Sequence, residues 1–177
     1  MRGAIVIEEP DNLLNILKEK LVEEYHISYG YSGRRVRHFH APSSLKEILK
    51  KDKVWHLLQT YFGREPEIIR VQQIDCGENV TRTQLVHRDH DLGPKILVAL
   101  AISDQNLNTV VFNEKVSSAI HDNSKYTRLC SRCGIFDTYF FHRGAACIHP
   151  TNYRYFIHIR RSDMMAEDIT RLDEYVT

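Results

Sequence analysis

Hydrophobic residues recur at intervals of three and four in two stretches near the N-terminus, and this spacing predicts amphipathic helices. The first stretch runs from Leu13 through Tyr25. The second begins at the serine pair 43–44, is broken at Asp52, and continues until Gly63 ends it, because serine and aspartate favour helix starts and glycine favours helix ends. The N-terminal third is therefore predicted to be mainly helical, after a short apolar strand at residues 3–7.

After Pro66 the pattern changes to short segments in which apolar and polar residues alternate, as expected of half-buried strands. The alternation is clearest from Tyr153 to Arg160, where tyrosines and isoleucines share one face. The predicted strand segments are Ile68–Ile74, Val80–Val86, Lys95–Ile102, Thr109–Phe112, Tyr126–Cys130, Gly134–His142 and Tyr153–Arg160. Helices followed by strands predict an α+β domain built around a β-sandwich or barrel.

A basic and aromatic segment, Arg34 to His40, breaks the helical pattern between the two predicted helices. Because it follows Gly30 and Gly33, it is predicted to be a loop or an irregular strand. A solvated loop over the barrel is the favoured interpretation, and a surface that holds a phosphate or an acidic partner is the alternative.

Charge and composition exclude several classes of function. The chain has 177 residues and a net charge of +1, so bulk charge does not favour binding to nucleic acid or to an acidic membrane. Its longest apolar run, Ile96 to Ile102, is too short to span a membrane, and its N-terminus does not resemble a signal peptide. We expect one cytoplasmic domain over residues 1–177, with a strand and helices over 1–65, a strand core over 66–162 and a tail over 163–177.

Ten histidines are many for one small domain, and one cluster of them suggests a metal site. His87 and Asp89 would project from the same face of a strand. An imidazole and a carboxylate side by side can occupy two neighbouring positions on an octahedral metal, and a third ligand completes the facial triad that suits non-haem Fe(II). His142, which ends an aromatic strand, is the candidate third ligand. His90 and Asp91 form a rival pair, ranked second because adjacent residues face opposite ways in a strand.

An arginine on the next predicted strand strengthens this interpretation. A facial-triad oxygenase that uses 2-oxoglutarate must fix the distal carboxylate of that cosubstrate, and a guanidinium does so with two parallel hydrogen bonds. Arg154 lies 12 residues after His142, so both residues can face one cavity. Arg160, on the same strand face, is the alternative anchor, and His158 is predicted to line the same cavity.

Several motifs occur in order along residues 55–162 and together resemble a known family. They are Gln84-Leu-Val-His87-Arg-Asp89, an apolar strand that ends at Asp104, the segment from Gly134 to Gly144, and Asn152-Tyr-Arg154. The sequence resembles the phytanoyl-CoA hydroxylase-like branch of the Fe(II)/2-oxoglutarate-dependent oxygenases. This resemblance implies a double-stranded β-helix, which is a jelly-roll or cupin-like barrel, with the N-terminal helices packed on one sheet.

The resemblance also implies an activity and its residues. The expected cofactor is Fe(II), held by His87, Asp89 and His142. The expected cosubstrates are O2 and 2-oxoglutarate, with Arg154 as anchor and Gln84 in contact with 2-oxoglutarate or metal-bound water. An aspartate at position 89 implies a hydroxylase that releases succinate and CO2, rather than a halogenase. The short gap between positions 89 and 142 predicts an open pocket, which favours a bulky or tethered substrate such as a peptide, a carrier-bound acyl group or a nucleic acid.

Two other interpretations stay open. The chain could be a non-catalytic metal-binding β-barrel domain. It could also be a zinc-stabilised binding module, with Cys130 and Cys133 as half of a zinc site and Cys147 and His149 as further ligands. Plain thiols are the favoured interpretation of these cysteines, because their spacing is irregular and the segment is predicted to be a strand.

Overall fold

The protein is described from a computed structural model, over residues 4–21, 24–29, 34–75, 83–88, 98–112, 125–146 and 153–163, with backbone only for 24–29. The helices in these residues are α1 (Leu13–Lys20), α2 (Ser43–Leu49) and α3 (Lys53–Phe62). The strands are β1 (Ala4–Val6), β2 (Glu24–Tyr29), β3 (Arg35–Phe39), β4 (Pro66–Asp75), β5 (Val98–Ser103), β6 (Thr109–Phe112), β7 (Tyr126–Leu129), β8 (Cys133–Asp137), β9 (His142–Arg143) and β10 (Tyr153–Arg161).

The strands form two antiparallel sheets. The larger sheet has the order β1-β8-β5-β10-β4-β3-β2, and the smaller has the order β7-β6-β9. An isolated bridge from His87 to His142 adds one more segment beside β9. Apart from β2 and β3, neighbours in the larger sheet are distant in sequence, so its stability depends on long-range pairing.

The larger sheet lies between the helices and the smaller sheet. On one side, Leu17, Leu45 and Leu58 from the three helices share a core with Leu100 and Ile157 of the sheet. On the other side, the sheet's inward residues share a second core with the smaller sheet, and these include Ala101, Phe136, Phe156, Val111 and Leu129. The three layers fit a jelly-roll-like fold with helices packed on one sheet. The predicted alternation along β10 is confirmed, because Tyr155, Ile157 and Ile159 face the helices whereas Phe156 faces the smaller sheet.

The predicted break at Asp52 is confirmed. The Asp52 side chain accepts a hydrogen bond of 2.8 Å from the Val54 backbone N–H and caps α3, and Gly63 ends α3 with a φ of 66°. The predicted extent of the first helix is wrong, because α1 ends at Lys20 and residues 24–29 form β2. Pairing with β3 gives this segment the hydrogen bonds that a longer helix would have provided.

Residues 34–40 were predicted to be a loop or an irregular strand; the strand is confirmed, and the favoured interpretation as a solvated loop is wrong. Residues 35–39 form β3, which lies between β2 and β4 within the larger sheet. Val36 and Phe39 are buried, and Arg34 is only 1% exposed. A basic composition suggested solvent here, but neighbouring strands on both sides cover the segment.

Two predicted strands are interrupted. The predicted strand from Gly134 to His142 is two strands, since β8 ends at Asp137 and a turn precedes β9. Residues 83–86 lie outside the strands, and residues 80–82 lie outside the described residues. The predicted C-terminal tail after Asp163 also lies outside them. Within the described ranges, no helix is long and apolar enough to cross a membrane.

Candidate active site

Backbone pairing brings two of the predicted metal ligands together. The His87 N–H donates to the His142 carbonyl over 2.9 Å, and the His142 N–H donates to the His87 carbonyl over 2.7 Å. The residues therefore form a directly opposed antiparallel pair. Their ring centroids are 4.5 Å apart. The sequence separates these imidazoles by more than fifty positions, and the edge of the smaller sheet places them side by side.

Each imidazole is oriented by a carbonyl two residues before it. The ring nitrogen Nδ1 of His87 lies 2.8 Å from the Leu85 oxygen, and Nδ1 of His142 lies 2.9 Å from the Phe140 oxygen. Because a carbonyl only accepts, Nδ1 carries the proton in both rings. In the neutral ring Nε2 then has the lone pair, which is the state in which histidine binds metals, and a hydrogen bond at the other nitrogen fixes it.

The turn before β9 positions His142. The Asp137 carboxylate accepts a hydrogen bond of 2.9 Å from the Tyr139 backbone N–H, and it accepts another of 2.9 Å from the Tyr61 hydroxyl. The same turn carries Phe140, whose carbonyl orients His142. Beneath His142 lies the Phe136 ring, with a centroid distance of 4.9 Å. Helix α3 and the end of β8 therefore support the histidine pair from behind.

The remaining predicted ligand, Asp89, lies outside the described residues, as do the rival pair His90 and Asp91. Over the described ranges, no group of three histidine, cysteine, aspartate or glutamate side chains is placed to hold a metal ion. The two histidines are thus the described part of the predicted triad.

Gln84 and Arg154 meet at Gly144, just beyond the histidine pair. The Gln84 N–H donates to the Gly144 carbonyl over 3.0 Å, and the Gly144 N–H donates to Oε1 of Gln84 over 2.9 Å. A Cβ at position 144 would lie 2.5 Å from this Oε1 and 3.3 Å from Nη1 of Arg154. Only glycine lets both side chains come this close to the backbone.

Arg154 is a buried cation with neutral partners. It is 3% exposed, and its guanidinium donates to the carbonyls of Ala145 over 3.0 Å and Ala146 over 3.3 Å. Its Nε is buried and has no hydrogen-bond partner in the described part of the chain. Burial and the nearby charge of Arg34 lower the pKa of Arg154 to about 10, so the group is still protonated at neutral pH.

A cavity of about 90 Å³ lies between the two sheets at this point. Its polar lining comprises Gln72, Gln84, His87, Thr109 and His142, and its apolar walls are Val36, Ile74, Phe136 and Phe156, with Gly144 between them. Arg154 stands behind Gly144 and Gln84. The histidine pair thus lines this small, partly apolar cavity, and the buried cation lies behind one part of its wall.

The other arginine and histidine of β10 have partners elsewhere. Nε of Arg160 donates to a Glu67 carboxylate oxygen over 2.7 Å. His158 is 1% exposed, and its Nδ1 accepts a hydrogen bond of 3.2 Å from Arg70. Arg154, by contrast, places its Nη1 3.3 Å from the position of a Cβ on Gly144, which is a residue of the cavity wall. The geometry therefore favours Arg154 over Arg160 as the cation beside the histidines.

Some residues of the site were missed from the sequence. Gln72 and Thr109 line the cavity, and Arg34 donates to the Ala145 carbonyl over 3.2 Å. Alternation along the predicted strand 68–74 places Gln72 and Ile74 on one face, which was a usable signal for Gln72. Arg34 had no such signal, because it was assigned to a loop.

The cysteines predicted as half of a zinc site differ in environment. Cys130 is exposed and Cys133 is buried. Burial raises the pKa of the Cys133 thiol to about 12, as expected of a thiol in a protein core. The other two candidate ligands, Cys147 and His149, lie outside the described residues. These surroundings favour plain thiols.

The sequence matches no protein-family model and no curated protein. The structure is similar to an oxidoreductase of the 2OG-Fe(II) oxygenase family from Burkholderia pseudomallei, with a TM-score of 0.62 and 12% identity over 91% of this chain and 85% of that one. It is also similar to EctD from S. alaskensis with bound Fe, with a TM-score of 0.61 and 14% identity over 90% and 73%. HygX from Streptomyces hygroscopicus, solved with nickel and 2-oxoglutarate, gives a TM-score of 0.54 and 8% identity over 93% and 85%. At these identities, the comparisons show a shared fold.

Proposed function

We propose that this chain is an Fe(II)/2-oxoglutarate-dependent dioxygenase that hydroxylates its substrate and releases succinate and CO2. The observation that carries the proposal is a cavity lined by two backbone-oriented imidazoles, His87 and His142, with the buried guanidinium of Arg154 behind its wall at Gly144. The named 2OG-Fe(II) oxygenase among the structural neighbours supports it. The proposal includes a double-stranded β-helix, the phytanoyl-CoA hydroxylase-like branch of the family, and a cytoplasmic location.

His87 and His142 would hold iron through Nε2, because their Nδ1 protons are used by the carbonyls of Leu85 and Phe140. Asp89 is the proposed third ligand. A facial triad of two imidazoles and one carboxylate leaves three positions open for other ligands. The donor set therefore fits Fe(II) better than a closed tetrahedral zinc site, which would need four protein ligands.

Arg154 would bind the distal carboxylate of 2-oxoglutarate. Its Nη atoms donate to neutral carbonyls and its Nε has no hydrogen-bond partner in the described chain. A buried cation with these partners is poorly compensated, so an incoming carboxylate would be stabilised by charge-assisted hydrogen bonds. Gln84, held against Gly144, would present its amide beside the cosubstrate or metal-bound water.

The chain's other contribution is a preorganised, partly apolar space. Phe136 and Phe156 wall the cavity, and they exclude water from one side of the histidine pair. Bound Fe(II) and 2-oxoglutarate would supply the oxidising chemistry, with O2 as oxidant, while the protein supplies position and orientation. A bulky or tethered substrate remains part of the proposal.

Anaerobic loading with Fe(II) and 2-oxoglutarate tests the proposal. We expect stoichiometric iron, the visible charge-transfer band of a 2-oxoglutarate chelate, and succinate on exposure to O2. His87→Ala, Asp89→Ala and His142→Ala should each lose iron, whereas Arg154→Gln should retain iron and lose the band. His56→Ala is the matched control, because His56 is an exposed residue of α3.

Three results would contradict the proposal. A protein that takes up iron but does not bind 2-oxoglutarate would be a non-catalytic metal-binding barrel. Stoichiometric zinc that is lost in Cys130→Ser would indicate the zinc-stabilised module. Equal iron content in the wild type and His87→Ala would remove the proposed metal centre.

A further inference from the structure

The residue after His87 is an arginine that lies against two aromatic rings of the facing segment. The guanidinium carbon of Arg88 is 5.1 Å from the centroid of the Tyr139 ring and 5.5 Å from that of the Phe141 ring. Both distances fall within the range, up to about 6 Å, in which a cation is attracted to the face of a ring. The contacts of Arg88 therefore include a second connection between the segments that carry the two histidines, besides the backbone pairing of His87 with His142.

Strand register explains this contact. The two histidines are directly opposed, so continuing the antiparallel register by one residue sets Arg88 opposite Phe141. Tyr139 is then the diagonal neighbour of Arg88, within reach of a long side chain. Because alternate residues face opposite ways, Arg88 and Phe141 are turned away from the cavity that the imidazoles line. Arg88 is thus placed to hold the histidines in position and not to touch a ligand between them.

The two rings belong to a turn that is fixed from behind. The Tyr139 N–H donates to the buried Asp137 carboxylate over 2.9 Å. The Phe141 carbonyl accepts a hydrogen bond of 2.8 Å from the Phe112 N–H on β6. A guanidinium that lies on these rings is therefore held against a part of the molecule whose own position is set by other contacts.

The segment that carries His87 depends on its contacts with this turn and with β9. Its residues 83–86 lie outside the strands, and backbone hydrogen bonds join the segment to β9 at Gln84 and at His87. Arg88 lies beyond both of these bonds. A motion that separates this end of the segment from the turn would move the His87 imidazole away from that of His142. A metal would then have to restore the paired arrangement, at the cost of affinity.

We propose that Arg88 is a positioning residue of the metal centre: by lying on the two aromatic rings, it holds His87 opposite His142 and so raises the affinity of the protein for a divalent metal. This inference rests on the proposed function and adds a residue that supports the same site without binding a ligand.

The sign of the expected effect separates positioning from simple electrostatics. A cation near a divalent metal repels it, so on charge alone the loss of Arg88 would tighten metal binding. A positioning role predicts the opposite, because a protein whose binding-competent arrangement is only partly populated binds more weakly in proportion. Weaker metal binding after removal of a positive charge is therefore the signature of the proposed role.

Metal titration of Arg88→Met tests this role, because methionine keeps much of the aliphatic stem and removes the guanidinium. The metal-free protein is titrated anaerobically with Fe(II), and in parallel with Co(II), whose visible absorption bands report its coordination. The readout therefore does not depend on turnover. We expect the Kd of Arg88→Met for both metals to rise about tenfold. The melting temperature of the metal-free variant is measured alongside, to separate metal affinity from the stability of the fold.

Arg143→Met is the matched control. Arg143 also directly follows a proposed histidine ligand and is also half-buried, but among the described residues its guanidinium lies over no aromatic ring. Its Kd should be no more than about twofold weaker than that of the wild type.

Two further variants make the result specific to the rings. Phe141→Leu removes one ring and keeps an apolar side chain, so Arg88→Met should weaken metal binding by a smaller factor in this background than in the wild type. Arg88→Lys retains the charge without the planar group and should give an intermediate Kd. The lysine variant supplies the measurement if Arg88→Met does not fold.

The outcomes separate this inference from the proposed function. If Arg88→Met lowers the melting temperature but leaves the metal Kd within about twofold, Arg88 only stabilises the fold; the inference is then overturned and the proposed function stands. Equal weakening in Arg88→Met and Arg143→Met would also overturn it, because the effect would not depend on the rings. A wild type that binds metal but not 2-oxoglutarate would contradict the proposed function, and the Kd values would still decide this inference. If the wild type binds neither metal, both fail together.

Discussion

Removal of one hydroxyl, in Tyr61→Phe, tests how helix α3 supports the turn before His142. The Tyr61 hydroxyl donates to Oδ2 of Asp137 over 2.9 Å, and Asp137 is 1% exposed. The substitution keeps the ring, so packing against Phe62, whose ring centroid is 5.3 Å away, is retained. The lost interaction is therefore a single hydrogen bond to a buried carboxylate.

The expected magnitude follows from the charge of the acceptor. Hydrogen bonds to charged groups contribute about 1.5–3 kcal/mol, and the second carboxylate oxygen of Asp137 keeps its bond from the Tyr139 N–H. We expect the free energy of unfolding to fall by about 2 kcal/mol. For a chain of this size the melting temperature should fall by about 2–4 °C for each kcal/mol.

The pH dependence gives a second signature. Burial and the Asp137 carboxylate raise the pKa of Tyr61 well above its usual value, so the folded protein keeps the phenolic proton when the unfolded chain loses it near pH 10. Above about pH 10, this group therefore lowers wild-type stability by up to about 1.4 kcal/mol for each pH unit. Tyr61→Phe lacks this contribution, so the difference in free energy of unfolding between wild type and variant should shrink as the pH rises above about 10.

Urea denaturation followed by circular dichroism at pH 7 and at pH 10 to 11 measures both effects. Tyr126→Phe is the control, because Tyr126 is 51% exposed and its hydroxyl should be dispensable. A loss below about 0.5 kcal/mol at pH 7, no larger than an ordinary surface substitution, would refute the assigned strength of this bond. If the difference in free energy of unfolding between wild type and variant does not narrow above about pH 10, the assigned cause of the raised Tyr61 pKa would be refuted.

Three other expectations concern single sites. Gly144→Ala should displace the Gln84 side chain, because its Oε1 would lie 2.5 Å from the new Cβ. Calorimetry on the iron-loaded variant should show weaker 2-oxoglutarate binding, while its melting temperature stays unchanged. An unchanged affinity for 2-oxoglutarate would contradict the assigned contact. Phe136→Ala should cost about 3–5 kcal/mol in urea denaturation, because a buried ring beneath the histidine pair leaves a cavity, and a cost under 1 kcal/mol would argue against close packing there. Iodoacetamide should label exposed Cys130 in the folded protein, and it should label buried Cys133 only after unfolding. Peptide mass mapping measures the labelling at each cysteine. Equal labelling of both in the folded protein would show that Cys133 is accessible.

Spacing along the sequence was sufficient to predict those features of the fold that depend only on residues nearby in the chain. The break at Asp52 and the end at Gly63 depend on capping within a few residues, and both occur as predicted. The two faces of β10 follow from strict alternation, because every second residue of a strand has the same neighbours. His87 was singled out by its two-residue spacing from Asp89, and His142 because it ends an aromatic strand-like segment.

Features that depend on distant partners could not be predicted in this way. The predicted helix extended through Tyr25, but pairing with β3 makes residues 24–29 a strand. Arg34 follows glycines in a basic segment, which favours a loop, yet its hydrogen bond to Ala145 spans 111 positions. Burial of a charged side chain is decided by tertiary contacts of this kind, and a local pattern contains no information about them.

The segment from His142 to Ala146 connects the histidine pair to the two buried arginines. Its first residue pairs with His87 and presents the second imidazole, while its last residues supply the carbonyls that Arg34 and Arg154 use. The imidazoles belong to the smaller sheet and the guanidinium groups extend from the larger one, so neither sheet forms the site alone. In the proposed site, a shift of this one segment would therefore move a metal ligand and the carbonyls beside Arg154 together. The contacts from Asp137 to the turn before the segment limit such a shift.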